Sequence, residues 1–141
     1  MTDPYVPMER FVQVVRSITL VNNTAKTEDV TVPSGERWLL LNVKMCNGDD
    51  VNRDVACDIY KESLKTNLLR RLFLYAAVPS TKDRLWPSWP SGGTSGSALF
   101  LPHLIVLDVG NTISCTWETG GASTGAVDAD GLVICYLKVE I

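Results

Sequence analysis

Apolar residues along this chain recur at every second position. In "FVQVVRSITLV", Val12, Val14, Ile18 and Leu20 fall on one side, and Gln13, Ser17 and Thr19 on the other. "ERWLLLNVKM" sets Leu39, Leu41, Val43 and Met45 against Asn42 and Lys44. "DVACDIYK" alternates Val55, Cys57 and Ile59 with Ala56, Asp58 and Tyr60, and "NTISCTWE" alternates Ile113, Cys115 and Trp117 with Thr112, Ser114 and Thr116. In the closing "GLVICYLKVEI", Val133, Cys135, Leu137, Val139 and Ile141 oppose Lys138 and Glu140. Successive side chains of an extended strand point to opposite faces, so these segments predict half-buried β-strands.

The punctuation fits. "PSG" at Pro33 to Gly35, "NGDD" at Asn47 to Asp50, "DVGN" at Asp108 to Asn111 and "DADG" at Asp128 to Gly131 are turn chemistry. "SLKTNLLRRLFLYAAV" is the ambiguous stretch. Leu64, Leu68, Leu72, Tyr75 and Ala76 suit a helical face, whereas "LFLYAAV" suits a buried strand. A strand over Leu72 to Val78, preceded by an irregular segment, is the better reading. Short strands near Ser97 to Leu101 and Leu104 to Leu107 bring the total to about eight.

Strands with no crossover helix cannot build a parallel sheet. The expected fold is all-β: an antiparallel jelly-roll or Greek-key β-sandwich, favoured over a meander by the long connections at Ser80 to Gly96 and Thr119 to Asp130. Residues 1–10, "MTDPYVPMER", read as an extended N-terminal arm, because Pro4 and Pro7 forbid a helix; residues 11–141 read as one sandwich domain.

Composition narrows the function. With 141 residues, 45% of them apolar and 21% charged, the chain can bury a core without staples. A formal net charge of -3 argues against nucleic acid, whose phosphates need surplus Lys and Arg. The opening residues lack the apolar region of a signal peptide, and runs such as "LLLNV" and "LIVL" are too short to cross a bilayer, so no membrane partner is expected. The 4 cysteines, Cys46, Cys57, Cys115 and Cys135, lie in predicted strands with no C-x-x-C spacing. They read as buried free thiols rather than zinc ligands; a bridge such as Cys46 to Cys57 is disfavoured in a reducing cytosol.

Candidate chemistry is sparse. "GASTG", Gly121 to Gly125, has the G-x-S-x-G form of a nucleophile elbow, but that motif needs a following helix and a later histidine. A hydrolase pairing Ser123 with His103 is therefore the weakest reading, and His103 is better placed as a strand-edge or interface residue. "DADG" begins like a calcium loop yet "LVICYL" supplies no distal carboxylate. Asp49, Asp50, Asp54 and Asp58 read as a solvated loop and strand face rather than a metal cluster. Neither a cofactor nor a metal is expected, and no enzyme activity.

"TVPSGERWLLLNVKM", "LFLPHLIVLDVGNTISCTWE" and the closing "GLVICYLKVEI" together resemble small β-sandwich proteins of tailed-phage virions, over Thr31 to the C-terminus. That resemblance implies a capsid decoration (cement) protein: a jelly roll made in the host cytoplasm, present on the capsid surface of the virion, assembled as a homotrimer and clamping neighbouring major capsid subunits. The alternative it leaves is a fibre-tip or adhesin-like domain recognising a host surface glycan or protein.

"RLWPSWPSGGTSGS" places Trp86 and Trp89 among prolines, glycines and serines, where neither helix nor continuous strand is expected. They could cover an end of their own sandwich. The reading favoured here projects Trp86, Pro87 and Trp89 into a neighbouring subunit, since tryptophan combines large area with few rotatable bonds. The arm residues Tyr5, Val6 and Met8 are expected to lie across another subunit in the same way.

Overall fold

In the computed structural model, which describes residues 10–21, 23–87, 105–118 and 127–140, the chain forms two antiparallel sheets packed face to face. Nine strands are found among the described residues: β1 (Phe11–Thr19), β2 (Lys26–Thr31), β3 (Glu36–Cys46), β4 (Arg53–Tyr60), β5 (Leu68–Val78), β6 (Asp83–Trp86), β7 (Ile105–Leu107), β8 (Thr112–Trp117) and β9 (Val127–Glu140). One sheet runs β1-β9-β3-β6, with β7 beside β6 along the same edge of β3; the other runs β2-β8-β4-β5. Apart from the β4–β5 hairpin and the β6–β7 connection, each step along the chain crosses between sheets. First and last strands pair, as do the second and the last but one. This is the winding of a jelly roll.

β1, β4 and β8 bury the faces that their alternation predicts: Ile18, Val55, Cys57, Ile59, Ile113, Cys115 and Trp117 are all in the core. In β3 the strict alternation breaks. Trp38 and Leu40 point inward before a register shift between Leu40 and Asn42, and Val43 and Met45 point inward after it. Leu41 is the extra residue of a β-bulge, which returns the strand to the core in the opposite phase. Leu39 and Leu41 therefore leave the core.

β9 reverses the face read from its sequence. Leu132, Ile134 and Tyr136 turn inward, and Val133, Cys135, Leu137 and Val139 turn outward. Both sets are apolar, so period two alone cannot choose between them. Pairing chooses: Val12 and Val14 of β1, already inward, sit opposite Tyr136 and Ile134. "DADG" lies inside β9 rather than in a turn before it. Arg16 pairs with Leu132 and Ile18 with Asp128, so Ala129 to Gly131 bulge out, and the Asp130 amide donates to Asp128 Oδ1 at 2.9 Å. Gly131 is required there, because a Cβ would fall 2.6 Å from Ile18 Cβ.

The open sides of the sandwich are closed by polar contacts. Arg16 Nη1 of β1 reaches Glu28 Oε1 of β2 at 3.0 Å, and the Arg84 guanidinium of β6 lies 5.5 Å over the Tyr75 ring of β5. Across the middle, Trp117 Nε1 donates to the Cys46 carbonyl at 2.9 Å, tying one sheet to the other.

Candidate assembly surfaces

Each end of the sandwich is locked by a buried asparagine. At one end Asn47 Nδ2 donates to the carbonyls of Val51 and Val78, while its Oδ1 accepts from the Asp49 amide. Beside it Arg53, fully buried, donates from Nε to Asp49 Oδ2 at 2.7 Å and from its Nη atoms to the carbonyls of Val21, Thr24 and Glu118, each at 2.8 Å. At the other end Asn111 Oδ1 accepts from the Asp108 amide, and its Nδ2 donates to the Lys61 carbonyl. Of the acidic group read as a solvated loop and strand face, Asp50 and Asp54 are exposed, while Asp49 and Asp58 are taken into the fold. Asp49 is buried against Arg53, Asp58 is largely buried and bidentate with Arg71, and Asp54 accepts from the Ala77 amide. Arg53 and Asp49 stand four residues apart, the one sequence signal of the pair that alternation does not reveal.

The thiols are similarly held inside. Cys57 and Cys115 are cross-strand partners in the core, with Sγ atoms 3.7 Å apart. The hydrogen bond to Cys57 and then burial raise the Cys115 thiol well above its usual range. Burial and then the Asp128 carboxylate push Cys46 up to about 12, and burial raises Cys135. Raised thiols are poor nucleophiles. Among the described residues no group of three or more His, Cys, Asp or Glu could hold a metal ion. Ser123 and His103 lie outside the described residues.

Of the residues expected at an interface, Trp86 and Pro87 are described, and Trp89, Tyr5, Val6, Met8 and His103 lie outside the described residues. Trp86 belongs to a strand, correcting the loop reading of its stretch. It sits opposite Val43 on the inward face, half-buried against the core, and its carbonyl accepts from Asn42 Nδ2 at 3.2 Å. Trp86 therefore packs in part against its own sandwich. Pro87, which follows it, is also half-buried.

Exposed apolar side chains gather elsewhere, in two places that the sequence reading does not single out, with Val21, Leu74 and Val109 exposed outside both. The first is the outer face of the β1-β9-β3-β6 sheet. Strand register aligns Phe11, Leu137, Leu39 and Val106 in one row, and Val15, Val133, Lys44 and Leu85 in another. Between them lie Gln13, Cys135 and Asn42, and Val139 extends the patch. Phe11, Val15, Leu85, Val106 and Val139 are all more than two-fifths exposed. The outer face of the other sheet is more polar, although Leu74, 54% exposed, lies on it opposite Ala56. It carries Thr27 paired with Thr116, Thr31 with Thr112, and Ser114 between Asp29 and Asp58.

The second place is the tip of the β4–β5 hairpin. Glu62 Oε1 accepts from the Thr66 and Asn67 amides and from Thr66 Oγ1, and Oε2 accepts from Asn67 Nδ2, all within 2.9 Å. Hydrogen bonds from the Asn67 and Thr66 side chains bring the Glu62 carboxyl down to about 2. Lys65 adopts a left-handed φ of 58° in this turn and reaches Asp29 at 3.0 Å. A loop fixed in this way holds Leu64 at its apex, 82% exposed, with Leu68 and Leu69 beneath it. Lys61 and Arg70 flank them.

Comparison with protein families, curated proteins and solved structures finds no match to this chain.

Proposed function

We propose that the chain is a non-catalytic virion structural protein of the capsid decoration type, which trimerises and clamps neighbouring major capsid subunits. The observation that carries this reading is the β4–β5 tip. A turn whose polar groups satisfy one another spends them on rigidity and offers the outside an apolar knob. Burying one leucine side chain contributes about 1.5–3 kcal/mol, and a loop ordered in advance loses little freedom on docking. Knobs repeated around a symmetric assembly act together, so a modest contact becomes a firm clamp. The complementary site is an apolar socket on the shell with an acidic rim to meet Lys61 and Arg70. The jelly-roll winding and the virion-like "VPSG" and "VLDVGNT" corners support the same reading.

The test is co-sedimentation of the purified protein with assembled phage shells. The protein should pellet with shells, and Leu64→Asp should abolish pelleting while leaving the thermal midpoint unchanged. Failure of the unaltered protein to bind shells overturns the reading.

The second reading, a fibre-tip or adhesin-like domain, is favoured by the position of that knob at one end of the sandwich beside Thr66 and Asn67. The described part of the tip has no aromatic ring to stack on a sugar, so a host surface protein is the fitting receptor. Binding to intact host cells, lost in Leu64→Asp, with no binding to shells, would decide for it.

A further inference from the structure

An antiparallel sheet with one solvated face shows apolar and polar residues in clean alternation, whereas a sheet covered on both faces is apolar throughout. β9 is of the second kind. Leu132, Ile134 and Tyr136 fill the core, and Val133, Cys135 and Leu137 line the other side. β3, with Leu39 outward before its bulge at Leu41, follows it. The face is exposed at Phe11, Val15, Leu85, Val106 and Val139 around its margins, while Val133 between them is only 9% exposed. We propose that the outer face of the β1-β9-β3-β6 sheet is the surface on which copies of this chain meet.

Charge supports a copy as the occupant. The middle row of the face holds the uncharged amides Gln13 and Asn42, and Asn42 already donates to the Trp86 carbonyl. The charges of the face are paired within the same chain, Arg37 with Asp108 at 2.8 Å at the margin, and Lys44, which lies in the row between Val133 and Leu85, with Asp83 at 3.8 Å. A face with no net charge and no unpaired ion meets its own copy without repulsion and with little desolvation cost.

Area supports it too. Strands ~4.8 Å apart and rising ~3.3 Å per residue make a face of four strands and ten residues roughly 19 Å by 33 Å, about 630 Å². Two such faces bury ~1,250 Å² before side-chain relief is counted, within the range of stable specific interfaces. The same width suits a threefold axis. Three faces ~19 Å wide closing a triangle stand ~5.5 Å from its centre, half the ~10 Å spacing of packed sheets, so their side chains fill the middle. The stoichiometry of three rests on the trimer of the preceding subsection; the choice of surface does not.

Sedimentation equilibrium of the purified full chain at micromolar concentration is the test, against a monomer mass of 15.5 kDa. Val15→Glu and Val106→Glu replace side chains that are 46% and 54% exposed, so each variant should keep the circular dichroism spectrum of the fold, with its thermal midpoint lowered only by the lost association. The unaltered chain should sediment as a trimer, and either substitution should return it to the monomer. Leu64→Glu, which adds the same charge at the hairpin tip, should leave the trimer intact. A dimer that the face substitutions dissolve keeps the surface and overturns the trimer. A monomeric unaltered chain, or an oligomer indifferent to both face substitutions, overturns the surface. So does a monomer that associates only once residues 1–9 are removed, because the arm would then be the occupant. Shell binding is read separately, so loss of self-association and loss of the decoration role remain distinct results.

Discussion

Replacing Arg53 by methionine tests how this sandwich is held at its Asn47 end. The guanidinium is fully buried, pairs with an equally buried Asp49, and donates to carbonyls of the β1–β2 connection and of the residue after β8. Breaking a buried ion pair by removing one partner costs about 3–5 kcal/mol. The carbonyls of Val21, Thr24 and Glu118 lose a charged donor as well, at least about 1 kcal/mol together if water enters and up to that much each if it does not. A loss near ~6 kcal/mol takes most of the ~5–15 kcal/mol that holds a domain of this kind. With a urea m-value near ~2 kcal/mol/M, the unfolding midpoint of Arg53→Met should fall by ~3 M.

The double variant Asp49→Asn, Arg53→Met separates the two terms. It removes the stranded carboxylate charge but leaves an oxygen for the Asp50 amide, which donates to Asp49 Oδ1 at 2.7 Å. About half of the loss should return. Urea titration followed by tryptophan fluorescence and far-ultraviolet circular dichroism reads both variants. A single-variant shift below ~0.5 M, or a double variant no more stable than the single one, would refute the reasoning.

Other consequences are more local. Gly131→Ala should lower the urea midpoint through the clash with Ile18, while Gly35→Ala, with open space around its Cβ but a φ of 84°, should cost only backbone strain. The amide resonances of Thr66 and Asn67 should titrate with a midpoint near the Glu62 value of about 2, not the 4.5 of a free glutamate, and lose this step in Glu62→Gln. Cys46 has a folded-state value of about 12 against 9.0 for a free thiol, so its neutral form stabilises the fold completely below pH 9 and progressively less as pH rises toward 12. The urea midpoint should therefore fall above pH 9, and less steeply in Cys46→Ser. Deleting residues 1–8 should leave a folded chain that associates more weakly, read as a rise in the sedimentation dissociation constant.

Much of the fold is legible in alternation, because β1, β4 and β8 each have one apolar and one more polar face, and a single face choice satisfies them. Alternation fails where both faces are apolar. "GLVICYLKV" offers two equally apolar faces, and only pairing with β1 decides that Leu132, Ile134 and Tyr136 go inward. "WLLL" conceals a bulge for the same reason: with three leucines in a row, skipping a phase at Leu41 costs no hydrophobic burial. β2 escapes notice for the opposite reason, since "KTEDVT" buries only Val30 and turns Glu28 toward Arg16 at an edge. Trp86 misleads because its neighbours Pro87 and Pro90 mark a loop, although Asp83–Trp86 can complete an edge beside Val43 to Cys46.

The failures of alternation and the candidate surfaces have a common cause. A solitary sandwich gains stability from polar outer faces that keep it dissolved, and the β2-β8-β4-β5 sheet follows that rule with threonines, Ser114 and the Asp58–Arg71 pair. The other sheet reverses it, placing valines and leucines outward across β1, β9, β3, β6 and β7 while its few ions are paired off within the chain. Polar groups in the described fold are directed inward to lock the loop ends: buried side-chain nitrogens and oxygens left without a partner number none among the described residues. A fold that satisfies its polar atoms internally while presenting apolar rows externally has its remaining driving force on the surface. That inversion is the ground on which association between copies is proposed. On that proposal, the outward apolar pattern that blurs the reading of β9 and β3 is the sequence trace of the contact between copies.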